Sequence, residues 1–83
     1  MSWRVFLTDS LQSDLDQLTD EERSNLNEIV MTWVESGPPR TISRMVAGIE
    51  MFDERVGPDL LLTYYVSEEA DLVAVIRIRR RGE

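Results

Sequence analysis

Residues 60–81 read LLLTYYVSEEADLVAVIRIRRR, and the fold turns on how this stretch divides. Leu60 to Val66 and Leu72 to Arg79 are runs of aliphatic, β-branched and aromatic side chains, and Ser67 to Asp71 is a short polar break between them. Two such runs around a polar break form a β-hairpin. Working backwards, Gly57-Pro58-Asp59 is a turn and Ile49 to Val56 a further strand, so the second half of the chain is an antiparallel meander entered through a connector, residues 40–46. Side chains alternate across a strand. Leu72, Ala74, Ile76 and Ile78 therefore share one side, with Ile76 and Ile78 expected against a core. Val73, Val75, Arg77 and Arg79 share the other, which Arg81 continues. Tyr64 has the parity of Leu60, Leu62 and Val66 and is expected to be buried, whereas Tyr65 is expected at the surface.

The first half supplies what covers this sheet. Trp3, Val5 and Leu7 alternate with Arg4, Phe6 and Thr8, which reads as an opening strand. Asp9 or Ser10 caps a short helix carrying Leu11, Leu15 and Leu18 on one stripe. Thr19-Asp20-Glu21-Glu22 is a capping box for a second helix, in which Leu26, Ile29, Val30 and Trp33 present a broad apolar face before Gly37-Pro38-Pro39 stops it. The order is β-α-α-β-β-β. This is an α+β fold, an antiparallel sheet with a two-helix layer packed on one face, and a single domain over residues 1–83 is expected.

Composition excludes many functions. The 83 residues contain no cysteine and no histidine, so there is no disulfide framework, no thiolate or imidazole metal ligand, and no imidazole for a catalytic triad. No metal and no cofactor is expected. The longest apolar run falls far short of the roughly twenty residues of a membrane helix, so a cytoplasmic protein without membrane contact is expected. All nine basic residues are arginine; sixteen acids give a net charge of -7, which repels nucleic acid on average. Local charge is uneven. Residues 1–39 hold eight acids and two arginines, whereas residues 40–83 hold eight acids and seven arginines. Arg77, Arg79, Arg80 and Arg81 stand almost together. With Arg55 and Tyr65 at the edge, they form the candidate surface for an acidic partner or a phosphate, because guanidinium stays charged and forks onto either. Asp53-Glu54 and Asp14-Asp16 diverge from each other by strand and helix geometry, and are expected to be solvated acids.

The arrangement resembles the RelE/ParE superfamily of bacterial and archaeal toxins. The segments that carry the resemblance are Trp3 to Leu7 followed by Ser10 to Leu18, the strand Leu60 to Val66 with its acidic turn Ser67-Glu68-Glu69, and Leu72 to Arg81. It implies the toxin component of a toxin–antitoxin pair, neutralised by a cognate antitoxin that wraps its exposed surface. The RelE branch cleaves messenger RNA on the ribosome, and the ParE branch poisons DNA gyrase without cleaving RNA. The ribonuclease branch places lysines on the second strand of its sheet, an arginine in the third and another after the fourth. At those places this sequence has Glu50, Asp53 and Glu54, then Leu61 or Leu62; only Arg81, with Arg80 beside it, matches the pattern as a catalytic candidate. A carboxylate about 4 Å from a phosphate costs roughly 1–4 kcal/mol. Gyrase-type action by macromolecular binding is therefore expected ahead of an mRNA interferase with a degenerate arginine-based site, the only one of these readings that makes the chain an enzyme. A non-toxic interaction domain, homodimeric through its helical face or a sheet edge, is the remaining expectation.

Overall fold

Thr19 starts the longest element of the molecule. Its Oγ1 accepts from the Glu22 N–H at 3.1 Å, and its own N–H donates to Glu22 Oε1 at 2.8 Å, the reciprocal pair of a capping box. The helix that follows spans Asp20–Ser36, with three acids in its first turn at the positive end of the helix dipole. It stops at Gly37, φ +83°, whose N–H donates to the Trp33 carbonyl at 2.8 Å. Only glycine fits there. A Cβ at position 37 would lie 2.7 Å from the Trp3 indole nitrogen, and positive φ is strained for other residues.

In chain order the elements are β1 (Arg4–Leu7), a 3-10 turn (Asp9–Leu11), α1 (Gln12–Asp16), α2 (Asp20–Ser36), β2 (Ile42–Val46), β3 (Ile49–Val56), β4 (Leu60–Ser67) and β5 (Leu72–Arg80). The computed structural model describes residues 2–80. The strands form one five-stranded sheet in the order β1-β5-β4-β3-β2. Neighbours from β5 to β2 are antiparallel, while β1 lies parallel to β5 at one edge, so the sheet is mixed.

The α+β architecture with a helical layer on one face is as expected; beyond the parallel β1, which makes the expected antiparallel sheet mixed, there are two differences. Residues 40–46 are not merely a connector, because Ile42–Val46 is a strand that pairs with β3. Its hairpin turns through Ala47 and Gly48, with φ 52° and 81°. Two positive φ values suit the right-handed twist of the flanking strands. All five residues of β2 are exposed, so no buried face imposes an alternation on its sequence. The second difference is a β-bulge. Thr63 pairs with Arg77 but Tyr64 pairs with Val75, leaving Ile76 as the extra residue. The single alternation expected along Leu72–Arg79 therefore fails halfway. Val73 and Val75 are fully buried on the helix side, and Leu72 and Ala74 turn outward with Tyr65 and Ser67. Beyond the bulge Ile78 faces the helices, while Arg77 and Arg79 face away from them.

The core joins Leu11, Leu18, Leu26 and Trp33 of the helical layer to Val56, Leu60, Leu62, Tyr64, Val73, Val75 and Ile78 of the sheet. Burying one such side chain contributes about 1.5–3 kcal/mol. Tyr64 sits at the centre, its ring 4.6 Å from that of Trp33 and 5.7 Å from that of Phe52. Its hydroxyl accepts the Arg40 N–H at 3.2 Å, which satisfies a polar atom in an apolar setting. Burial raises the pKa of this phenol.

Candidate functional site

The face of the sheet turned away from the helices is built by register. Arg55 stands opposite Leu61, and Leu61 opposite Arg79, one row across β3, β4 and β5. The next row is Asp53, Thr63 and Arg77, and beyond the bulge Tyr65, Ala74 and Phe6 continue the surface to β1. Strands are about 4.8 Å apart, so Arg55 and Arg79 have backbones about 10 Å apart with their guanidinium groups on the same side. Phe6 is 53% exposed and Tyr65 38%, which sets aromatic surface beside the cations.

Among the described residues Asp53 is the only carboxylate that the strands place on this face, and it is fully engaged. Arg44 Nε lies 3.0 Å from Asp53 Oδ2, and Thr63 Oγ1 donates to Asp53 Oδ1 at 2.6 Å. Arg44 Nη2 also donates to Thr63 Oγ1 at 3.3 Å. This trio closes over the middle of the sheet and leaves Thr63 buried. Arg55 and Arg77 are exposed, Arg79 is half-buried, and among the described residues none of the three has an ion-pair partner. The Nε of Arg79 is buried without a hydrogen-bond partner. Glu68, a candidate for neutralising the arginine run, pairs instead with Arg40.

Other expected site residues lie elsewhere. Arg80 crosses to the helix side, pairing with Glu22 and donating to the Gln17 carbonyl at 2.9 Å. It ties the end of β5 to the junction of α1 and α2. Glu22 has a lowered pKa, first through the Thr19 backbone N–H and then through the Arg80 guanidinium. Arg81 lies outside the described residues. Glu50 and Glu54 share the inward side of β3 with Phe52 and Val56, so they do not oppose the outward arginines. Asp53 and Glu54 are not the solvated acids expected: both are half-buried, Asp53 inside the trio above. Arg44 was not among the expected residues, because it lies in β2, whose pattern gave no strand signal.

Among the described residues no cluster of three or more acidic side chains is arranged to hold a metal ion, and no helix is long and apolar enough to cross a membrane. What the outward face offers is charge and aromatic surface, with no unengaged carboxylate to take a proton.

No family model and no curated protein matches this sequence. Solved structures do. A chain of the archaeal RelE–RelB complex from Pyrococcus horikoshii superposes with a TM-score of 0.83 at 19% identity, covering 100% of this chain and 99% of that one. For the toxin–antitoxin complex RelBE2 from Mycobacterium tuberculosis the TM-score is 0.78 at 20% identity, covering 98% and 100%. A mutant of the E. coli toxin RelE in the free state gives 0.76 at 16% identity, covering 99% and 86%. At these identities the likeness is one of backbone architecture, and that architecture is the RelE-like fold.

Proposed function

We propose that this chain is the toxin-like half of a toxin–antitoxin pair, held by a cognate antitoxin, and that it acts by binding a macromolecule through its outward sheet face in the manner of gyrase-directed toxins. The observation that carries this reading is the set Arg55, Arg77 and Arg79, projecting together with no carboxylate among the described residues paired to them. Such a face forks onto carboxylates or phosphates of a partner. The chain has no histidine, and the one carboxylate of the face is held by Arg44 and Thr63, so a general base for RNA cleavage is wanting. The two toxin–antitoxin complexes among the structural relatives support the antitoxin part. Purified protein is expected to inhibit gyrase supercoiling at micromolar concentration, and the double variant Arg77→Ala, Arg79→Ala to lose that inhibition. Unaffected supercoiling rejects the gyrase version.

One observation favours a second reading, an mRNA interferase working by phosphate charge stabilisation alone. Glu50 and Glu54 turn away from the arginines, and Asp53, the carboxylate that stays on the face, is held by Arg44 and Thr63, so opposition to a scissile phosphate is reduced. Primer extension on translated messages then reveals new cleavage sites that vanish in the same double variant. Harmless overexpression with neither effect would leave only a non-toxic interaction domain.

A further inference from the structure

The inward side of the sheet holds a groove that the arginine face does not use. β2 lies beyond the helical layer, all of it exposed. Between α2 and the start of β2 is a groove of about 310 Å³, near the ~300 Å³ lower end of ligand-binding clefts. Ile29, Trp33 and Pro39 make its apolar lining, Thr32 and Thr41 stand at its exposed margins, and Glu54 completes it. Met45, 66% exposed, continues apolar surface on the same side of the sheet, opposite Glu50 in register.

Glu54 is the anomaly. Its Oε2 is buried and has no hydrogen-bond partner among the described residues. Arg80 and Arg44 are committed elsewhere, to Glu22 and Asp53, and Arg40 gives one guanidinium nitrogen to Glu68 while its Nε, also buried, makes no hydrogen bond to Glu54. A carboxylate with one oxygen buried and unpaired is poorly solvated, and a cation docked in the groove that Glu54 lines stabilises its charge. The helix beside the groove repeats the sign. Glu28 and Glu35 flank Thr32 on one line of α2, which Glu21 continues towards the start of the helix.

We infer that this groove seats a segment of a partner protein in which an arginine or lysine is flanked by aliphatic side chains, its cation pairing with Glu54. The aliphatic stem of the basic residue lies along Ile29, Trp33 and Pro39, as long cationic side chains do on apolar surface. The acidic line of α2 steers the segment in. A neutral or acidic segment of the same shape would leave Glu54 unpaired and is selected against. This inference concerns the opposite side of the sheet from the arginines and stands whether or not the chain is a toxin.

The test uses the full chain and a synthetic amphipathic leucine–arginine peptide, with a leucine–glutamate peptide as counterpart. Calorimetry measures affinity, and amide NMR shifts locate the site. The arginine peptide is expected to shift the amide resonances of residues 29–33 and of Gly37, Arg40 and Thr41. Glu54→Gln weakens it roughly 10- to 100-fold, the loss of one charge-assisted hydrogen bond at a half-buried group. Asp9→Asn, which removes an equal charge beyond the far edge of the sheet, changes affinity less than about threefold. Thr32→Trp, which fills the groove from an exposed position, abolishes the shifts in a chain whose circular dichroism shows it folded. Equal losses in Glu54→Gln and Asp9→Asn would reduce the effect to long-range attraction and overturn the inference. So would shifts confined to other surfaces, equal binding of the glutamate peptide, or no binding of the arginine peptide.

Discussion

Glu22 joins three parts of the chain through one carboxylate: it accepts the Thr19 N–H, pairs with Arg80, and by that pair holds the end of β5 against the start of α2. Its pKa is lowered from an ordinary 4.5. The folded state therefore favours the ionised form. The stabilisation is complete at neutral pH and is lost as pH falls below about 4.5 through the lowered value. Urea midpoints measured from about pH 6 to pH 3 are expected to fall more steeply for the natural chain than for Glu22→Gln, which keeps a capping amide but has no proton to take up. Parallel curves would show that the linkage lies in other carboxylates. Tyr64→Phe tests the buried hydroxyl. It strands the Arg40 N–H and is expected to cost about 1–2 kcal/mol in denaturant unfolding without changing the m-value. At this scale Tyr64 and Tyr65 were legible, because β4 alternates without a break. The position of Arg80 was not, because a cluster of four arginines within five residues does not say which of them bonds a neighbouring carbonyl and which faces solvent.

Among the elements, α2 was readable almost to the residue, because a capping box, an apolar stripe and a terminal glycine act locally and agree. β3 and its turn into β4 were readable for the same reason. β2 was hidden twice over. Both of its faces are exposed, and its turn begins at Ala47, which adopts φ 52° without the asparagine or glycine that advertises that conformation. Ala47→Gly removes the left-handed strain and is expected to raise stability by up to about 1 kcal/mol, read as a higher melting temperature. The bulge at Ile76 was illegible because it belongs to the pairing of two strands and leaves no mark in either one. It explains how Val73, Val75, Arg77 and Arg79, all of one parity, divide between core and surface. Deleting Ile76 makes Val75 and Arg77 consecutive, so one unbroken alternation keeps the valines inward and the arginines outward. The deletion is expected to unfold cooperatively, as Ile76→Val does, and loss of cooperativity would show that the extra residue is needed for the pairing.

Across the whole molecule the two charge signs are sorted by layer. The segment from Asp9 to Glu35, which forms the helical layer, carries eight acids and the single basic residue Arg23, whereas the outward strands carry Arg4, Arg44, Arg55, Arg77 and Arg79 against Asp53 alone. Net charge hides this, which is why a chain of -7 presents a cationic surface. Binding of an acidic partner to the sheet face is expected to weaken as salt rises and the Debye length shrinks, with the slope against ionic strength reduced in Arg77→Ala, Arg79→Ala. A slope unchanged by that variant would assign the attraction to other cations. Sorted charge also gives the molecule a large electric dipole directed across its thickness from helices to sheet. In the field of a polyanion such a body feels a torque before it feels a contact, and it arrives turned with its strands forward.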